Sequence, residues 1–253
     1  MGDDRLLAVL GEAAAACRQA LDDVDDWGLP GARPGQYRAD LVADAAAVPV
    51  LLGAGLGVLS EESGLHAPER ELLAVLDPLD GSTNAARGIA RYATSVCVLD
   101  AEGPRAALVV DQASGRRYEA VRGDGAARDG RPVRPSAATA LGEAILGLSG
   151  HAPRHLGWSQ YRALGAIALD LCAVADGTLD GFVDAGADGH GPWDYLGASL
   201  VCAEAGALVV DARGRDLVVR SPATRRSPVA AATADLLGEV REALGATAHP
   251  GGR

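Results

Sequence analysis

The stretch that most constrains this chain is residues 71–84, Glu-Leu-Leu-Ala-Val-Leu-Asp-Pro-Leu-Asp-Gly-Ser-Thr-Asn. Its first half is apolar enough to be a buried strand. Pro78 disfavours the helical region for Asp77, so the strand is expected to stop there. Gly81 permits a tight turn and a close backbone approach. Ser82, Thr83 and Asn84 are favourable N-cap residues, so a helical turn is expected to begin at this point. The expected result is a strand end that presents two carboxylates, Asp77 and Asp80, beside free backbone N–H groups. Carboxylates bind hard cations and free N–H groups bind anions. Together they suit a phosphate bridged to Mg²⁺. A surface turn built from the same residue types is the plainer reading of this stretch alone, and two other stretches shift the balance.

A chain of 253 residues can bury a large core, as one α/β domain or as two closely joined halves. Hydrophobic residues make up 48%, but aromatic residues only 4%, so the core must be built from Leu, Val and Ala. The net charge of −11 and the lack of a basic stripe argue against nucleic acid as a partner. An anionic small substrate remains compatible, provided metal ions invert the local field. The four cysteines, Cys17, Cys97, Cys172 and Cys202, are far apart and lie in apolar surroundings. They read as buried reduced thiols of a cytoplasmic protein, not as a zinc site. The acidic N-terminus reads as no signal peptide, and no apolar run has the length of a membrane span.

Apolar periodicity predicts a helix over residues 4–25 and a second from Asp40 to about Leu52, with Asp40 and Asp44 as a capping and solvated pair. Gly53–Ser60, with Leu56, Val58 and Leu59, reads as a short buried strand that runs into Glu61-Glu62. Side chains alternate across a strand, so one of these two glutamates can face a site while the other faces away. Residues 93–121 read as an antiparallel meander, with hairpin turns at Gly123-Asp124-Gly125 and Asp129-Gly130. A second half is expected from residue 136. It has strands at Ala144–Leu148, Leu179–Val183, Ala207–Asp211, Leu217–Val219 and Val229–Ala232, and helices at Tyr161–Asp176, from Trp193, and at Asp235–Leu244. This layering implies an α/β or α+β fold in two halves, 1–135 and 136–244, with a disordered tail over 245–253.

Three carboxylate-bearing stretches stand out: Glu61-Glu62, Asp77 with Asp80, and Asp194 beside Trp193 at a helix start. An Asp at that helix position is also a good cap. Taken with Ser82-Thr83-Asn84 and Glu204-Ala205-Gly206, the set resembles the inositol monophosphatase superfamily of Mg²⁺-dependent, lithium-sensitive phosphomonoesterases. The resemblance implies a five-layered αβαβα sandwich with an antiparallel sheet and a second, mixed C-terminal sheet. It implies two or three Mg²⁺ ions, held by Glu61, Asp77, the Leu79 carbonyl, Asp80 and Asp194. It also implies phosphate binding by the Gly81 and Ser82 N–H groups, and a Ser82 hydroxyl that orients the attacking water with Glu62 nearby. Asp184, Gly165, Ala166 and His190 fall at substrate-side positions, and a homodimer is the family's assembly. One departure is Asp40-Leu41-Val42-Ala43-Asp44, shorter than the family's stretch and preceded by Gln36, Tyr37 and Arg38 instead of a nearby lysine. It bears on a third ion, not on the first two.

The chemistry is coherent without the name. Hard cations need oxygen ligands, and phosphoryl transfer needs positioning and charge neutralisation more than a side-chain nucleophile. The expected substrate is a small polyol or sugar phosphate. The alternatives within the same chemistry are 3′-phosphoadenosine 5′-phosphate, fructose 1,6-bisphosphate and histidinol phosphate. They would ask for a base platform such as Trp158 and Tyr161, or for a second anion site at Arg154 or Arg162. A non-catalytic metal- or ligand-binding regulator is the alternative of a different class.

Overall fold

The structure is a computed structural model that describes residues 1–25, 27–29, 36–152, 154–186 and 188–245. In chain order its elements are α1 (Asp3–Asp22), α2 (Arg38–Gly53), β1 (Gly57–Ser60), β2 (Gly64–His66), β3 (Leu73–Asp80), α3 (Ser82–Ala86), β4 (Ala93–Asp100), β5 (Gly103–Asp111), β6 (Arg117–Val121), β7 (Gly125–Arg128) and β8 (Arg131–Pro132). The chain continues with β9 (Ile145–Ser149), β10 (Gln160–Arg162), α4 (Ile167–Ala175), β11 (Gly181–Asp184), α5 (Pro192–Ala205), β12 (Leu208–Asp211), β13 (Pro228–Ala231) and α6 (Ala234–Gly245). The first sheet has the order β2-β1-β3-β4-β5-β6-β7-β8, antiparallel except for the β1–β3 pair. The second is mixed, in the order β10-β9-β11-β13-β12.

Five layers follow from which faces are apolar. Leu6, Val9, Leu10, Ala13, Cys17 and Leu21 form one buried stripe on α1, at the spacing of a helix face. With α2, this stripe covers one face of the large sheet, where Ala74, Leu76, Val96 and Val98 point. Leu73, Val75, Cys97 and Leu99 point to the other face, because side chains alternate along a strand. There they meet α4 and α5, which fill the space between the two sheets. On the far side of the small sheet, α6 closes a third cluster around Leu146, Val183 and Val229. The αβαβα sandwich is thus present, and β3, an interior strand of the large sheet, is buried at every position. Glu204 ties the layers together by accepting N–H bonds from Gly123 and Gly125 in the β6–β7 turn, both at 3.0 Å.

The structure corrects three sequence expectations. The strand expected to stop at Asp77 runs on to Asp80. Pro78 has no N–H to give, so the β3–β4 register breaks between Asp77 and Asp80, and the Thr94 hydroxyl bonds the Pro78 carbonyl at 2.9 Å. The helix expected from Tyr161 begins only at Ile167, because Gly165 takes φ +80° and Gln160–Arg162 pair with β9 instead. Leu217–Val219 is not a strand. Leu217 and Val218 pack on the core as irregular chain, and Tyr195 donates its hydroxyl to the Leu217 carbonyl at 2.9 Å. The four cysteines are buried and unpaired. No helix among the described residues is long and apolar enough to cross a membrane. The expected tail over 245–253 lies, after Gly245, outside the described residues.

Gly206 ends α5 in the left-handed region, at φ +97° with open space around it. Gly206→Ala is expected to cost about 1 kcal/mol, from backbone strain alone. Thermal unfolding should show a fall in melting temperature of about 2–4 °C.

Candidate metal centre

The site is built where the parallel strands β1 and β3 end side by side. Ser60 is in register with Leu76, and the Glu61 N–H bonds the Leu76 carbonyl at 3.1 Å. Glu61 and Asp77, each the residue after such a partner, are therefore neighbours. Asp194 arrives from the first turn of α5, where its Oδ2 accepts the Gly191 N–H at 2.7 Å. The capping role expected of an Asp here is thus real, and it aims the side chain at the site as well. One carboxylate oxygen from each of Glu61, Asp77 and Asp194 lies within 4.8 Å of the other two. Asp80 borders them. Its Oδ2 accepts the Ala168 N–H at 2.7 Å, at the start of α4. Asp77 Oδ1 accepts the N–H of Leu79 at 2.9 Å, while the Leu79 side chain is buried in the α1/α2 core.

Packing these acids together makes them hard to ionise. Burial first, and then its carboxylate neighbours Asp194, Glu62, Asp40 and Asp80, hold Glu61 well above the usual carboxylate range. Burial and Glu61, Asp80, Asp194 and Asp40 do the same for Asp77. Asp80 is pushed up to about 8 by burial and Asp194, although the Ala168 N–H works the other way. An all-oxygen donor set, three of whose acids repel each other without a cation, fits a hard divalent ion and not a soft one.

The phosphate-loop candidates adjoin the acids. Gly81 has φ +83°, and a Cβ there would lie 3.0–3.1 Å from Gly165 O, Ala166 Cβ and Arg91 O, so conformation and space both require glycine. Ser82 opens α3, and the first N–H groups of a helix have no partners within it. Asn84 fixes this corner by donating to the Arg91 carbonyl at 2.9 Å and the Leu164 carbonyl at 2.7 Å. Glu62 is held by the side-chain amide of Gln36, and its N–H bonds Ser60 Oγ at 3.2 Å.

A cleft of ≈ 330 Å³ opens over Asp80, Asp194, Gly165, Ala166 and His190, with Ser149 and Asp170 on its wall. His190 bridges two acids. Its Nδ1 lies 3.3 Å from Asp194 Oδ2, and its Nε2 lies 3.6 Å from Asp184 Oδ1 and 3.1 Å from Ser149 Oγ. Burial would lower its pKa, but the two carboxylates outweigh this and raise it to about 10. Asp184 ends β11 and is buried. It borders a separate cavity of ≈ 610 Å³ and is not itself a lining residue of the cleft, whose His190 and Ser149 it adjoins.

Several residues stand differently from their sequence reading. Asp40 and Asp44 are buried, not solvated. Asp40 caps α2 through the Tyr37 N–H at 2.8 Å, and Asp44 accepts the Ser60 hydroxyl. Arg162 bonds its own strand, at Tyr161 O (2.8 Å) and Gln160 Oε1 (2.9 Å), and exposed Arg154 bonds Ala243 O at 3.2 Å, so neither lines the cleft. Trp158 is buried with its ring edge-on to Tyr161, centroids 5.7 Å apart, so it offers no open stacking face. Sequence reasoning missed the Arg91–Asp170 ion pair at 2.5 Å, on the cleft wall. Asp170 sits within the apolar stripe of α4, and a lone acid in such a stripe was the available signal.

Comparison with known proteins agrees with this geometry. Residues 52–246 match the inositol monophosphatase family. A fructose-1,6-bisphosphatase/inositol-1-monophosphatase of Thermococcus kodakarensis is 33% identical over 214 residues, 81% of each chain. The Nus factor SuhB of Escherichia coli is 32% identical over 172 residues, 62% of this chain and 63% of that protein. The crystal structure of the extragenic suppressor protein suhB from Bartonella henselae superposes with a TM-score of 0.82 at 27% identity, covering 95% of this chain and 98% of that one. The chain belongs to the inositol monophosphatase family.

The raised acids predict a pH dependence. Between its ordinary 3.8 and about 8, folded Asp80 keeps a proton that the unfolded chain has lost, so stability falls as pH rises through that window. His190 acts in the same direction between its ordinary 6.5 and about 10. Melting of EDTA-treated protein is expected to occur at lower temperature at pH 8 than at pH 6, with Mg²⁺ removing most of the difference. A flat or rising profile without metal would contradict the close packing of these acids.

Proposed function

We propose that this chain is a Mg²⁺-dependent phosphomonoesterase acting on a small polyol or sugar phosphate. The observation that carries the reading is the convergence of Glu61, Asp77 and Asp194, with Asp80 beside them, next to the Gly81–Ser82 turn. Glu61, Asp77, the Leu79 carbonyl, Asp80 and Asp194 would hold two ions, and Glu61 a third. Bound Mg²⁺ supplies charge neutralisation for the phosphate and a water that is more readily deprotonated. The chain supplies the rest. The N–H groups of Gly81 and Ser82 receive phosphate oxygens, and the Ser82 hydroxyl, with Glu62, orients the water for in-line attack. Gly165 and Ala166 leave room for the alcohol part of the ester, and His190 faces it.

Charge in the cleft supports a substrate with one phosphate on a neutral body. Its described lining carries Asp80, Asp170 and Asp194 with His190; Asp170 is neutralised from behind by Arg91, and no arginine is itself a lining residue. A bisphosphate, as in the name of the Thermococcus relative, would find no arginine among the described lining residues for its second phosphate. A role as a non-catalytic regulator would not need every ligand position filled. Four buried thiols support a reducing, cytoplasmic setting, and the proposed assembly is a homodimer.

Phosphate release from a panel of phosphorylated polyols, sugars and nucleotides, with and without Mg²⁺, tests the reading. Asp80→Asn should keep the wild-type circular dichroism spectrum and lose roughly a thousandfold or more in turnover. Near-wild-type rates in that variant would refute the ligand assignment. No turnover of any ester by folded, Mg²⁺-binding wild type would favour the regulator. Li⁺ should compete with Mg²⁺ for the site, which inhibition curves at several Mg²⁺ concentrations would reveal.

A further inference from the structure

Beneath the acid cluster lies a hydroxyl that the folded chain leaves unused. Ser95 of β4 is fully buried, and its Oγ has no hydrogen-bond partner. It is the register partner of Asp77 across the antiparallel β3–β4 pair. Directly opposed residues in such a pair hold their Cβ atoms about 4.5–5.5 Å apart on one face. That face is the one α5 covers. A Cβ on Gly197 would come within 2.8 Å of Ser95 Oγ, and Gly197 lies one helical turn after Asp194. Ser95 is thus enclosed by β3, β4 and α5, the first and last of which carry acids of the cluster.

A buried hydroxyl without a partner is a cost to the folded state, because water would have bonded it. One acceptor lies across the strand pair. Asp77 Oδ1 takes the Leu79 N–H, and the carboxylate retains lone pairs for a second donor. We infer that Ser95 is a positioning residue for Asp77: in the Mg²⁺-loaded protein its hydroxyl donates to the Asp77 carboxylate and fixes the orientation in which that carboxylate meets the ion. Partners of metal-ligating side chains act in this way, by holding the ligand and adjusting its basicity. The inference rests on the proposed Mg²⁺ site. It assigns Ser95 no contact with metal or substrate.

The test sets two quantities against each other. Ser95→Ala removes only the hydroxyl. By calorimetric titration its Mg²⁺ affinity is expected to fall about 10- to 100-fold. Its melting temperature in EDTA is expected to be equal to or above that of the wild type. Ser199→Ala is the matched control, since its hydroxyl is also buried without a partner but its residue lies on α5, outside the strand pair. It should leave Mg²⁺ affinity unchanged. Unchanged affinity in Ser95→Ala would overturn the inference. So would a loss of affinity accompanied by a lower metal-free melting temperature, which marks a merely structural serine. If wild type itself bound no Mg²⁺, the site reading would fail and this inference with it, an outcome distinct from wild-type binding that Ser95→Ala leaves intact.

Discussion

Mutual repulsion among buried carboxylates is the constraint on which the rest of this structure depends. Two full negative charges as close as the Glu61, Asp77 and Asp194 oxygens repel by about 3 kcal/mol per pair at an effective dielectric of about 20. A stretch of chain with freedom to move would relieve this by turning a side chain out to water. Here none can. Glu61 and Asp77 follow adjacent parallel strands, Asp194 is fixed by the first turn of α5, and Asp80 is held by the first turn of α4. The large core on both faces of β3 holds the acids in place against their own electrostatics. A cation placed among these oxygens would relieve that repulsion.

The scaffold explains how four distant segments reach one point. Among the described residues β1 and β3 are the one parallel pair of the large sheet, so the chain leaves both strands at the same edge of the layer. The helices between the sheets begin beside that edge, and their first turns offer N–H groups to Asp80 and Gly191-bound Asp194. The positive end of each helix dipole eases the negative charge brought to it. Asn84 then bonds both the segment before β4 and the turn before α4, linking the phosphate corner to the second half of the chain.

Much of this was legible in the sequence where local chemistry and position coincide. Pro78 between two acids and Gly81 just after them marked a special backbone, and Asp194 at a helix start was readable as a cap. The α1 stripe and the meander turns followed from periodicity and turn chemistry. What failed was governed by tertiary context. Pro78 did not end β3, because a register break and the Thr94 hydroxyl absorbed the missing N–H. Tyr161 and Arg162 were drawn to the edge of β9, although the apolar spacing beyond them is helical. Asp44 read as a surface residue because its partner, the Ser60 hydroxyl, lies sixteen positions away on another element. The Arg91–Asp170 pair escaped for the same reason, at a separation of 79 residues.

The acid cluster also bears on how the proposed enzyme would meet its substrate. The cleft wall carries Asp80, Asp170 and Asp194, and the whole chain carries a net charge of −11. Without a cation, the ionised members of this cluster would repel a phosphate dianion. With cations in place the same acids become ligands, and the local field changes sign. Substrate affinity and metal affinity are then two faces of one coupling free energy, and linkage makes that coupling reciprocal: bound phosphate must tighten metal binding by the factor with which metal tightens phosphate binding. Asp80 is where the two meet. It is a proposed metal ligand, lines the cleft, and is attached through the Ala168 N–H to the helix that follows Gly165 and Ala166. Any displacement of the start of α4 would therefore displace a proposed ligand as well as the cleft wall.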